Sequence, residues 1–154
     1  MIATGSRSPA LGGAAPQHLR DWKLILKTLH RCYWTADRIC HSDHTGFKFH
    51  FILQKLVVRA AKDSELDGMK EFPVPDRGDG RRGYIDAAWS GKDGIADIIE
   101  IDSSYREKSI RKLQMTDAPA KFWLYYGRYD SYFVNNIPTG MWILVEPAGV
   151  CIHT

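Results

Sequence analysis

The chain has 154 residues, 44% of them hydrophobic and 25% charged, with a net charge of +3. That length fits one compact domain, and the apolar share, with five tryptophans, excludes a wholly disordered chain. So small a net charge does not by itself mark a nucleic-acid binder, and no apolar run is long enough for a membrane helix.

Residues 1–17 lack the basic start and apolar stretch of a secretory signal. From Thr4 to Pro16 they read as a flexible tail of Gly, Ala, Ser and Pro. Cys32, Cys40 and Cys151 are odd in number and form no CxxC pair, which suits reduced thiols and a cytoplasmic setting. Residues 18–154 are then expected to form a single domain.

Leu19, Trp22, Leu26, Leu29, Tyr33, Ala36 and Cys40 alternate at three- and four-residue spacing, which predicts an amphipathic helix within 18–41. The turn that follows holds Cys40, His41, Asp43 and His44. These are zinc-ligand types, but no second ligand pair follows at zinc-site spacing, so a polar turn is the expectation. A second helix is predicted over 47–62, with Lys48, Lys55, Arg59 and Lys62 on one basic face and His50 turned to the core.

After a polar turn at 63–68, Lys70–Pro75 reads as a short strand, and 75–83, rich in Gly, Arg and Asp, as a hairpin loop. Gly83–Trp89 and Ile95–Asp102 are the next two strands, joined by a tight turn over Ser90–Gly94. Ser104 with Glu107 has capping-box spacing and predicts a helix start at Ser104. Lys121–Gly127 and Gly140–Glu146 supply two more strands, and the aromatic residues from Trp123 to Phe133 are expected mostly in the core. The order of elements predicts an α/β sandwich around a mixed sheet.

The residues that carry chemistry are Asp86 in the second strand and Glu100 and Asp102 in the third. Strand alternation sends Glu100 and Asp102 to one face while Ile99 and Ile101 pack behind, and Asp86 can face them across the hairpin. Singly, each acid reads as a solvated strand end, and Asp102 as a residue favoured beside a helix N-terminus. Converging, they repel one another unless a cation neutralises them, and hard oxygen donors suit Mg²⁺ or Mn²⁺. Arg81 and Arg82 precede the Asp86 strand, and Arg106, Lys108, Arg111 and Lys112 follow Glu100. Such cations can hold phosphates beside an acidic centre, although a solvated helix face would look the same.

In these residues the chain resembles the PD-(D/E)xK nuclease superfamily, over roughly 47–127. Asp86 matches the Asp of the pattern, Glu100 the acid of the Glu-x-Lys, and Glu71 the upstream acid that many members carry. The resemblance implies a restriction-endonuclease-like three-layer sandwich, a central mixed sheet flanked by helices, with 18–41 as a helical extension. It also implies Mg²⁺ or Mn²⁺ on Asp86 and Glu100, aided by the Ile101 carbonyl, and DNA as substrate, with Arg81, Arg82 and Lys112 on its phosphates. The chain departs from the pattern at Asp102, where the motif has lysine. Lys108 is the expected replacement, with Lys112 the alternative, while Asp102 shares the metal or orients water. The second reading is a catalytically inactive module of the same fold that binds nucleic acid or a protein partner. A homodimer is left open.

Overall fold

A computed structural model describes residues 21–154, so the expected tail over 1–17 lies outside the described residues. Helix α1 spans Trp22–Ile39, and the Asp21 side chain caps it by accepting from the Lys23 N–H at 3.0 Å. Helix α2 spans Lys48–Ala60 and runs on through a short 3₁₀ turn over Ala61–Ser64. The strands β1 (Asp67–Val74), β2 (Gly83–Gly91) and β3 (Gly94–Asp102) form a meander. Helix α3 (Glu107–Met115), strand β4 (Ala120–Tyr125), the short helix α4 (Ser131–Asn135), β5 (Trp142–Val145) and β6 (Val150–His153) complete the chain.

The six strands form one sheet in sequence order, β1 to β6. Pairs β1–β2, β2–β3 and β5–β6 are antiparallel, whereas β3–β4 and β4–β5 are parallel. The parallel pairings follow from the α3 crossover, because a parallel neighbour cannot be reached by a tight turn. The carboxyl ends of β3, β4 and β5 therefore share one edge of the sheet with the start of β2.

Two cores sandwich the sheet. On one face Leu26, Leu29 and Tyr33 of α1 and Phe49, Leu53 and Val57 of α2 pack on Ala87, Trp89, Ile99, Ile101, Phe122 and Leu124. On the other, Ile110 and Leu113 of α3 and Phe133 of α4 cover Ile85, Ile98, Trp123, Tyr125 and Ile143. The expected α/β sandwich with a mixed sheet is present. Helix α1, read from sequence as an extension, shares the first core with α2. It is also tied to the end of β5, where His30 Nδ1 lies 2.6 Å from the buried Glu146 carboxylate.

Four details differ from the sequence reading. Strand β1 begins at Asp67, because residues 67–70 pair with 87–90 of β2 and lie exposed at the sheet edge, with no apolar alternation to mark them. The 90–94 turn shrinks to Lys92–Asp93, with Gly94 at φ +105°, a conformation glycine adopts freely. Helix α3 starts at Glu107, with Arg106 as an extended N-cap whose side chain makes no cap bond. Residues 103–106 are spent in climbing from the sheet, and Tyr105 anchors that climb by donating to the Asn136 carbonyl at 2.6 Å. The capping box at Ser104 therefore does not form. Finally, α4 and β6 carry too few residues for a recognisable periodicity.

Gly68 sits where β1 crosses α2, and a Cβ there would collide with the Val58 carbonyl oxygen. Gly68→Ala should cost about 1–3 kcal/mol, the usual range for overpacking against backbone. A melting temperature unchanged from the parent would show that the crossing is slack.

Candidate active site

The site lies where β2 and β3 stop behaving as a regular pair. Their ladder runs up to Ala87↔Ile99. Regular alternation would then send Ile85 to the α1–α2 side, yet it lies in the α3-side core, so the face pattern breaks at Asp86. Side chains take over the backbone bonds there. The Asp86 N–H donates to Glu100 Oε2 at 2.8 Å, and the Ile101 N–H donates to Asp86 Oδ2 at 2.8 Å. Gln54 Nε2 of α2 donates to the Asp86 carbonyl at 2.8 Å. The two acids thus interleave, each held by backbone of the other's segment.

Glu71 faces the same break from β1, between the pairs Lys70↔Ala87 and Phe72↔Ile85. Its φ of +54° lies in the left-handed region, which for a non-glycine residue costs on the order of 1 kcal/mol or more. Irregular backbone on two neighbouring strands, at the same level, opens the sheet edge into a cleft of about 550 Å³. Asp86, Glu100, Asp102, Glu71, Lys108 and Lys112 all line it.

Burial sets the electrostatics. Glu100 is 1% exposed, and burial first, then the Asp86 charge, pushes its pKa up to about 8, against the pull of Lys112. The Lys112 ammonium lies 2.6 Å from Glu100 Oε1 and donates to the Tyr84 carbonyl at 2.7 Å. Its stem passes over Gly83, where a Cβ would lie 3.1 Å from Lys112 Cδ. Asp102 lines the same cleft with partners of its own. Its Oδ2 accepts from the Trp123 indole N–H at 2.8 Å, and Arg106 Nε lies 3.5 Å from Oδ1. Burial pushes Asp102 up to about 6, opposed by hydrogen bonds from Ser109 and Trp123.

The lysine beside the acids is therefore Lys112, not Lys108. Lys108 is exposed on the cleft rim and makes no hydrogen bond or ion pair among the described residues. The reason is the length of the climb after β3. Glu100 lies two residues back from the strand end, and α3 begins five residues past that end, so its second turn overlies Glu100 while its first stays at the rim. Of the loop cations, Arg82 lines the cleft, whereas Arg81 is exposed outside it; Arg77, not singled out from sequence, lines it too.

His50 is the cleft neighbour of Asp86 that the sequence reading left in the core. It lines the cleft with Nε2 3.4 Å from Asp86 Oδ1, and that contact raises its pKa against the opposing effect of burial. A signal was present: His50 and Gln54 are polar residues one helical turn apart, and both are aimed at Asp86. By contrast, the Cys40–His44 string closes a turn in which His44 Nε2 lies 2.6 Å from Asp37 Oδ1, and Asp43 accepts from Thr45.

Among the described residues no group of three or more His, Cys, Asp or Glu side chains is arranged to hold a metal ion. A Mg²⁺ site needs fewer, since that ion uses one or two carboxylates and completes its shell with water and phosphate oxygens. Asp86 and Glu100 fit that donor set. Each of their four oxygens has one close neighbour, and a carboxylate oxygen can accept a second interaction. Comparison with known proteins returns no match: no family model, no curated protein and no solved structure aligns significantly with the chain. No helix among the described residues is long and apolar enough to cross a membrane.

Proposed function

We propose that the protein is a metal-dependent nuclease of the PD-(D/E)xK kind that hydrolyses DNA phosphodiester bonds. The observation that carries this reading is the trio at the strand break: Asp86 and Glu100 interleaved on the cleft floor, with the Lys112 ammonium 2.6 Å from Glu100. An acid on each of two adjacent strands with a lysine beside them is the residue chemistry of that superfamily, here with the lysine delivered from α3. The helix–sheet–helix layering, the strained backbone at Glu71 and the interrupted ladder at Asp86 support the same reading.

Mg²⁺ or Mn²⁺ bound by Asp86 and Glu100, with the Ile101 carbonyl, would supply Lewis acidity to a water and to the phosphate. The chain's own groups do the rest. Lys112 offsets negative charge that develops on the phosphoryl oxygens and holds Glu100 in place. His50 orients Asp86 from the α2 side. Asp102 fixes the end of β3 to Trp123 and keeps Arg106 at the rim, where Arg82 and Lys108 also meet phosphates. The second reading, an inactive module that binds nucleic acid or a protein, drew on the missing strand lysine, and Lys112 weakens that support.

Incubating supercoiled plasmid with the protein, with and without Mn²⁺, tests the proposal. Nicking or linearisation only with the metal is expected, and a folded protein inert under Mn²⁺ at every pH on the plasmid and on single-stranded DNA alike would overturn it. The metal site has its own signature. Because Glu100 must lose its proton to act as a ligand, the Mn²⁺ concentration for half-maximal thermal stabilisation should fall by about tenfold per pH unit from pH 6 to pH 8. A flat dependence would place the metal elsewhere.

A further inference from the structure

We propose that the cleft selects nucleic acid with unpaired bases, and that Phe47 and Phe51 are the shelf on which a base stacks. The inference rests on reading the cleft as a nucleic-acid site and adds the substrate class. Phe47 is 76% exposed and Phe51 59%, one helical turn apart at the start of α2, with ring centroids 6.1 Å apart and planes tilted by 31°. Both rings line the cleft that holds Asp86 and Glu100. Between them in sequence, Phe49 points the other way and is fully buried in the α1–α2 core. Folding therefore uses one of the three phenylalanines and leaves two in water.

A single exposed phenylalanine needs no explanation, and a pair spaced by four residues steadies a helix by a few tenths of a kcal/mol wherever it faces. This pair is instead placed at the mouth of the cleft and continues inward. The Phe51 ring lies 6.1 Å from the His50 ring, and His50 Nε2 is 3.4 Å from Asp86 Oδ1. From the β2 side the half-exposed Tyr84 ring lines the same space. The rim adds the exposed cations Arg82, Arg106 and Lys108.

Rings alone would suit any apolar partner, and cations alone any polyanion. Together they match a ligand that offers phosphates and free π-faces along one strand. A duplex offers the phosphates but keeps its bases stacked on each other, so the rings would stay in water. A single strand, a loop or a frayed end offers both. Stacking on an aromatic side chain tolerates any base, so the shelf selects unpaired strands without selecting sequence.

Binding is measured in EDTA, so that no strand is cut, by fluorescence anisotropy with labelled oligonucleotides of equal length: a thymidine strand, the same strand in duplex, and a strand of abasic sites. The parent should bind the thymidine strand more tightly than the abasic one by about 5-fold to 150-fold, the range for one stacked base. The Phe47→Leu/Phe51→Leu variant should lose that preference, keep its abasic affinity and keep its melting temperature; Phe47→Leu, at the most exposed position, is run alongside it. Phe47→Trp should retain the preference. Equal parent affinities for thymidine and abasic strands, tighter binding to duplex, or a leucine variant with the preference intact would each overturn the inference. The same strands are then incubated with Mn²⁺. Cleavage without any ring-dependent preference sinks only the shelf. Ring-dependent preference without cleavage sinks only the nuclease reading, and neither binding nor cleavage of any strand sinks both.

Discussion

Replacing Lys112 by alanine should cut metal-dependent turnover by about three orders of magnitude, while Lys108→Ala should stay within about tenfold of the parent. The two lysines sit one turn apart on α3, yet their surroundings differ. The Lys112 side chain is only 16% exposed and spans two acceptors, Glu100 Oε1 and the Tyr84 carbonyl. Lys108 stands exposed at the rim with no partner among the described residues. Removing the Lys112 charge acts twice. It takes away the cation that lies against Glu100, the proposed metal ligand, and it lets the Glu100 pKa climb further, because Lys112 is what holds it down. Stability should also fall, by about 1–3 kcal/mol, since Glu100 can escape its lost partner by taking up a proton. Lys112→Arg should recover part of the turnover if charge is what matters. Steady-state plasmid cleavage alongside thermal melts makes the comparison, and equal losses in Lys108→Ala and Lys112→Ala would end the case for Lys112.

Much of the site was legible because carboxylates in apolar strands stand out against their neighbours. Glu100 and Asp102 interrupt an isoleucine run, and the two-residue period places them on one face. What the period cannot encode is its own interruption. The switch at Asp86 that sends Ile85 to the α3 side comes from side chains replacing ladder bonds, a tertiary event with no local signature. The lysine assignment went astray for a related reason. Ser104 and Glu107 have the spacing of a cap, but Tyr105 finds a better anchor on Asn136, the helix starts later, and the residue over Glu100 changes from Lys108 to Lys112.

The fold shows the same division. Helices α1 and α2 follow from periodicity, and the meander follows from turn residues between alternating runs. Asp102 lines the cleft with the other two acids, yet one of its oxygens also serves the buried indole N–H of Trp123, which needs an acceptor. Such competition between partners from distant segments is invisible until the strands are in register.

Glu100→Gln should abolish cleavage and yet make the metal-free protein more stable than the parent at pH 8. The sign follows from the direction of the shift. The folded-state pKa of Glu100 is raised from 4.5 to about 8, so between those values the folded protein holds a proton that the unfolded chain has lost. Stability attributable to Glu100 is therefore greatest below about pH 4.5, declines as pH rises, and levels off above about pH 8. Glutamine stands in for the protonated acid at every pH and has no such decline. Parent and variant should melt alike near pH 5 and part steadily towards pH 8, with the gap capped at roughly 5 kcal/mol by the size of the shift. Asp102, raised to about 6, contributes the same trend to both proteins and cancels in the difference. Adding Mn²⁺ should narrow the gap at pH 8, since the parent can bind the ion through an ionised Glu100 and the variant cannot. Thermal melts at several pH values, with and without Mn²⁺, provide the test. A variant less stable than the parent at pH 8 without metal would mean that Glu100 is ionised and anchored by Lys112, a structural pair rather than a site waiting for a cation.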